Sequence, residues 1–150
     1  MDKRFDLLVN KTGFREKEGI VNRMIYGIGT DMVEISRLEK TIQNKSFLQR
    51  FYTEREQQLI LSRKSRVKAA AINFAGKEAV SKALRTGITR QVHLEEIEIL
   101  REESGAPYVT LYGKTLEYSK DCEIERVHIS LSDTEEYAIA YAVAECKERA

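Results

Sequence analysis

The spacing of hydrophobic positions changes along the chain. Residues 24–28, MIYGI, form an apolar run that reads as a buried strand ending in Gly27-Ile28-Gly29-Thr30-Asp31. A short helix is predicted next, because Ile35, Leu38 and Ile42 share one face while Arg37, Glu39 and Lys40 lie elsewhere. Thr53 and Glu56 have the spacing of a capping box, which opens another helix through Leu59 and Ile60. The longest helical pattern runs from about Arg66 to Arg85. In it Ala71, Ala75, Ala79 and Ala83 recur every fourth residue, a small-residue ridge on which another element can pack closely.

Beyond Gly87 the pattern turns to strands. Leu94 to Leu100 and Tyr108 to Tyr112 flank Glu103-Ser104-Gly105-Ala106-Pro107, which reads as a hairpin connection. Val127, Ile129 and Leu131 then alternate with Arg126, His128, Ser130 and Ser132. Tyr137, Ile139, Tyr141 and Val143 alternate with Ala138, Ala140, Ala142 and Ala144; period two favours a strand, while the alanine content leaves a helix open. Helices in the first half and hairpins in the second predict an α+β fold. Residues 1–23 have little periodicity and stand apart from a domain predicted over 24–150. They read as an appendage, from an upstream start or a remnant of expression, with an added strand or helix as the alternative.

Composition narrows the classes. A chain of 150 residues, 42% hydrophobic and 33% charged, is one globular domain that can bury a core without staples. No apolar run approaches the roughly 18–20 residues of a membrane span, and the N-terminus lacks a signal-peptide pattern. A net charge of +1 gives no global attraction to nucleic acid, so an anionic partner must be met by a local patch. Cys122 and Cys146 have no metal-binding spacing and read as reduced thiols of a cytoplasmic protein.

Three clusters carry candidate chemistry. In Gly27-Ile28-Gly29-Thr30-Asp31, glycines permit close backbone approach to a ligand and Asp31 offers oxygen to a hard cation; the plainer reading is a strand turning into an Asp-capped helix. The G-x-G-x-x-G dinucleotide spacing is incomplete. On the long helix Glu78 and Lys82 are four residues apart and share a face. They are either an exposed ion pair or a metal-binding carboxylate with a lysine placed to meet phosphate. In His128-Ile129-Ser130-Leu131-Ser132-Asp133, the residues His128, Ser130 and Ser132 share one polar strand face, which by itself is an ordinary solvated surface. His93 has no such company, and a Ser/His/acid triad is rejected for want of a nucleophile elbow.

The order and spacing of these clusters are more specific than any one of them. GIGTDMVEISRLEK opens the domain, FAGKEAVSKAL lies on the middle helix, GAPYV at the hairpin and HISLSDTEEYAIAYAV at the end. From Met24 to about Glu145 the chain thereby resembles the bacterial holo-acyl-carrier-protein synthase family of 4′-phosphopantetheinyl transferases. The resemblance implies helices packed on an antiparallel sheet, homotrimeric assembly, and Mg²⁺-dependent transfer of phosphopantetheine from coenzyme A to a serine of apo-acyl carrier protein. It implies that Asp31 and Glu78 bind Mg²⁺, and that Lys82 serves the phosphates and proton traffic. His128, Ser130, Gly105 and Pro107 would lie near CoA, the hairpin acting across a subunit boundary, and Arg37 would dock the acidic carrier. Glu78, directly or through water, is the candidate proton acceptor. Fatty-acid synthesis is the expected setting, with a secondary-metabolite carrier as the alternative acceptor.

Asp133 departs from the pattern, since many relatives carry a second histidine there. Two other classes compete. A carrier-binding module without chemistry would not need Asp31, Glu78 and Lys82 together, whereas a Mg²⁺ nucleotide hydrolase could use all three.

Overall fold

The structure is a computed structural model that describes residues 23–87 and 91–147. The segment read as an appendage lies outside the described residues except for Arg23, the first residue of β1 (Arg23–Glu34). A three-stranded antiparallel sheet has the order β1-β5-β4, with β4 at Ile124–Asp133 and β5 at Tyr137–Lys147. The last strand is therefore central. Around the sheet lie α1 (Lys45–Phe51), α2 (Glu54–Ser62), α3 (Arg66–Ala83) and α4 (Gly113–Asp121). A separate hairpin pairs β2 (Ile97–Arg101) with β3 (Pro107–Leu111).

The first glycine cluster is not a turn. β1 runs through it to Glu34, paired with β5 from Gly27 opposite Ala144 to Glu34 opposite Tyr137. The glycines serve packing instead. A Cβ at Gly29 would stand 1.9 Å from the Ala79 carbonyl oxygen, and one at Gly27 would stand 2.2 Å from that of Ala83. Only a bare backbone lets β1 lie this close to α3. Because that face is given to glycine, Ile28 and Met32 point the other way, 57% and 62% exposed, and only Tyr26 and Val33 of the strand's large side chains pack on the core, so β1 is not the buried strand expected. The predicted short helix is two 3₁₀ turns, Ile35–Leu38 and Thr41–Gln43, with Ile35 and Leu38 buried as its pattern required.

α3 matches its prediction. Ala71, Ala75, Ala79 and Ala83 are fully buried in one core with Ala138, Ala140, Ala142 and Ala144 of β5. Small residues on both surfaces allow helix and sheet to approach closely. The same alternation leaves Tyr137, Ile139 and Tyr141 exposed on the opposite face of the sheet. The capping box at the start of α2 forms in full, with Glu56 and Thr53 exchanging hydrogen bonds. Two short helices, α1 and α4, carried too few turns for periodicity to reveal them. α4 starts where Glu96 accepts hydrogen bonds from Thr115 N and Oγ1, each 2.8 Å.

α3 is anchored by a sealed ion pair. Lys77 Nζ lies 2.6 Å from Glu56 Oε2, and both side chains are completely buried. The ammonium also donates to the carbonyl oxygens of Leu94 and Ile97, while Glu56 accepts from Asn73 Nδ2 and Ile99 N. Burial raises the Glu56 carboxyl and lowers the Lys77 ammonium, and each partner's charge pulls the other back. Among the described residues no helix is long and apolar enough to cross a membrane.

Candidate active site

Close packing of β1 on α3 brings the first two sequence clusters together. Asp31 stands opposite Ala140 of β5, on the sheet face covered by α3. Lys82, on the last turn of α3, donates to Asp31 Oδ1 and to the Thr30 carbonyl oxygen, both at 2.9 Å. Glu78 lies one turn earlier and is half-buried. Its carboxyl is raised above the usual range first by burial and then by the Asp31 charge, with Lys82 opposing. Two carboxylates and one ammonium thus converge where the strand meets the helix. Among the described residues no group of three or more His, Cys, Asp or Glu side chains could hold a metal. The donor set is a pair of carboxylates, with oxygen chemistry suited to a hard cation that keeps waters and takes substrate oxygens.

The third cluster lies elsewhere on the chain. His128 and Ser130 stand opposite Val143 and Tyr141, on the sheet face that α3 does not cover. His128 Nε2 is 2.9 Å from Glu145 Oε2 and the ring is exposed. Asp31 and Leu131 flank Ala140 from opposite sides, so β1 and β4 are two strand spacings apart, about 10 Å. Within one chain, His128 and Ser130 therefore do not join the Asp31, Glu78 and Lys82 cluster. Gly105 and Pro107 lie at the end of the β2–β3 hairpin, where Gly105 takes a positive φ of 88° and its N–H donates to Glu102. Arg37 is 80% exposed and its Nε lies 3.1 Å from Glu34 Oε2, so an internal carboxylate already holds the expected docking cation.

One feature was missed in the sequence. A cleft of about 290 Å³ between α2, α3 and β2 is lined by Arg63, Lys64, Lys68, Asn73 and Arg101, with Leu59 and Ile72 among its apolar lining. Arg101 donates to Asn73 Oδ1 at 3.0 Å; burial and then the neighbouring Arg63 charge hold its guanidinium below the usual range. The run Arg63-Lys64-Ser65-Arg66-Val67-Lys68 was the available signal, but nothing local shows that β2 brings Arg101 beside it.

A sheet-on-helix enzyme scaffold with a carboxylate pair, a lysine and a nearby cationic cleft is the class that this geometry defines. The profile of the 4′-phosphopantetheinyl transferase superfamily (ACPS) matches residues 27–142, and the chain belongs to that family. It is 48% identical over 122 residues to a holo-acyl-carrier-protein synthase of Lachnoclostridium phytofermentans, covering 81% of this chain and 97% of the relative. It is 49% identical over 127 residues to one of Clostridium perfringens, covering 81% and 95%. Among solved structures, a Neisseria meningitidis holo-acyl-carrier-protein synthase superposes with a TM-score of 0.76 at 33% identity, covering 81% of this chain and 98% of that one. A Bacillus anthracis synthase in complex with CoA (3′,5′-ADP) gives 0.70 at 34% identity, covering 82% and 98%.

Proposed function

We infer that the chain is the enzyme that moves 4′-phosphopantetheine from coenzyme A to a serine of apo-acyl carrier protein. The observation that carries its chemistry is the convergence of Asp31, Glu78 and Lys82. In the transfer, the serine oxygen forms a bond to the phosphorus that bears pantetheine. The anhydride bond to the nucleotide breaks, and adenosine 3′,5′-bisphosphate leaves with the electron pair. Such reactions depend on positioning and charge neutralisation more than on covalent help from the protein.

Asp31 and Glu78 would hold Mg²⁺, which when bound supplies positive charge at the pyrophosphate. Lys82 meets negative charge on the leaving side through its ammonium, one donor of which stays available beyond Asp31 and Thr30. Glu78 is the acceptor for the serine proton, directly or through water. The cleft lined by Arg63, Lys64, Lys68 and Arg101 takes the 3′-phosphate of the nucleotide.

His128, Ser130, Gly105 and Pro107 join the CoA site from a neighbouring copy. Support for this comes from the uncovered sheet face, where Ile28, Met32, Ile139 and Tyr141 are exposed beside His128 and Ser130. An apolar face of this kind is unusual on a monomer and suits a symmetric assembly, here a homotrimer. Light scattering that finds an active monomer would contradict the assembly. Free Cys122 and Cys146 suit the cytoplasm, and fatty-acid synthesis is the expected context of the acceptor. Arg37 is the docking cation for the acidic carrier.

The test is direct: incubate the protein with CoA, Mg²⁺ and an apo carrier protein, then weigh the carrier. A carrier heavier by one phosphopantetheine, and only with Mg²⁺ present, is expected. CoA cleavage without a carrier would point to a nucleotide hydrolase instead.

A further inference from the structure

Lys68 is the cation of the cleft wall that carboxylates already hold. Its Nζ lies 3.1 Å from Asp133 Oδ2 and 3.6 Å from Glu135 Oε1, both supplied by the end of β4 and the turn after it. No carboxylate among the described residues stands at ion-pair distance from Arg63, Lys64 or Arg101. The Lys68 and Asp133 side chains are 28% and 34% exposed, so the pair remains in contact with water. A solvated pair of this kind is weak and easily exchanged, unlike the sealed Lys77–Glu56 pair. Lys68 also stands on the first turn of α3 with a flexible stem, free to swing between the carboxylate and the cleft it lines.

We propose that Asp133 is an internal competitor for the anionic ligand of this cleft, holding Lys68 until a phosphate group of the nucleotide displaces it. The proposal rests on the reading that the cleft takes the 3′-phosphate of CoA. A phosphate dianion outbids a carboxylate for an ammonium by charge and by number of acceptor oxygens. The exchange has a kinetic use. Substrate CoA and product adenosine 3′,5′-bisphosphate carry the same 3′-phosphate, so a cleft that bound it at full strength would also retain the product. A carboxylate that recaptures Lys68 weakens the hold on both and favours release. Glu135, farther away and 95% exposed, competes less.

The experiment titrates adenosine 3′,5′-bisphosphate calorimetrically into the full chain and its variants at one fixed salt concentration. Asp133→Asn should tighten binding about two- to fivefold, the weight of one partly exposed ion pair. Glu135→Gln should tighten it less. Lys68→Met should weaken binding, and Lys68→Met with Asp133→Asn should bind as Lys68→Met does, because the competitor has lost its target. Melting curves check that each variant folds; Asp133→Ser removes the same charge should the amide disturb the strand end. Unchanged or weaker binding by both Asp133 variants, with wild type binding well, would make the pair a scaffold and overturn the competition alone. Tightening that persists without Lys68 would also overturn it. If wild type binds the bisphosphate and Arg101→Met is without effect, the cleft reading itself fails and takes the proposal with it.

Discussion

Lys77 and Lys82 leave the same helix on different faces, and the contrast between their surroundings separates structure from chemistry. Lys77 is buried with Glu56, and its three donors are consumed by that carboxylate and two carbonyl oxygens. Nothing is left for a ligand. Lys82 is half-exposed and uses two donors, on Asp31 and Thr30. The Glu78 carboxylate beside it has no hydrogen bond or ion pair among the described residues. A saturated pair can only hold the fold; an unsaturated one can take a metal, a phosphate or a proton. The proposed chemistry therefore falls at the strand-facing end of α3, and the sealed pair on the α2-facing side.

The sharpest test removes one carboxylate from the open site. Asp31→Ala and Glu78→Ala should fold and lose measurable transfer, since a Mg²⁺ site with few protein ligands cannot spare one. Substantial activity in either variant, insensitive to EDTA, would refute the metal assignment. The sealed pair should respond in the opposite way. Lys77→Met, which leaves Glu56 charged and unpartnered, should lower stability in denaturant by about 3–5 kcal/mol. Adding Glu56→Gln should recover part of that loss. A Lys77→Met protein of normal stability but no activity would invert the comparison.

Lys82 comes next. Lys82→Ala should leave stability near wild type and lower kcat by about a hundredfold or more, the scale of losing one charge-stabilising donor. Lys82→Arg should restore only part, because a planar fork replaces a compact charge. Single-turnover kinetics separates this from weaker binding.

The two lysines also show what local sequence can and cannot display. Glu78 and Lys82 were legible as a pair because four-residue spacing puts them on one helix face, and the family motifs tied them to Asp31. Lys77 stands beside Glu78 in the same motif, yet nothing local marks a lysine for complete burial. Its partners come from α2 and the segment before β2. The polar face of β4 was legible because period two is a local property. The course of β1 was not: two glycines resemble a turn until the backbone of α3 is known to lie against them. The cationic cleft was hidden for the same reason, since Arg101 reaches it from a different element.

Acidity gives a smaller effect with a definite sign. The folded chain holds a proton on Glu78 at a pH where the unfolded chain has released it. The group's contribution to stability is thus complete below the usual carboxylate range and is lost as pH rises through the raised value. In metal-free protein, Glu78→Gln should gain stability relative to wild type as pH climbs from that range towards neutrality. Melting temperatures across that interval measure it; parallel curves would mean that Asp31 and burial do not act on Glu78 as the geometry requires. Mg²⁺ should stabilise wild type and leave the variant unmoved.

The smallest effect belongs to Arg37, and it extends the comparison to the surface. Its guanidinium is 80% exposed and shared with Glu34 at 3.1 Å, so it is neither sealed like Lys77 nor set between Asp31 and the Thr30 carbonyl like Lys82. A net charge of +1 gives no long-range pull on an acidic carrier, which leaves local cations to steer it. Arg37→Ala should raise the apparent KM for carrier about two- to fivefold and leave that for CoA unchanged. Arg37→Glu should do the same more strongly, because it adds repulsion to the loss of attraction. Glu34→Gln should act in reverse by releasing Arg37 to the carrier. Salt should weaken carrier binding to wild type, since the Debye length falls to about 3 Å at 1 M, and the variants should lose part of that response. If Arg37→Glu keeps the wild-type KM for carrier and the same salt dependence, the carrier docks on another surface and the Arg37–Glu34 pair only caps the end of β1.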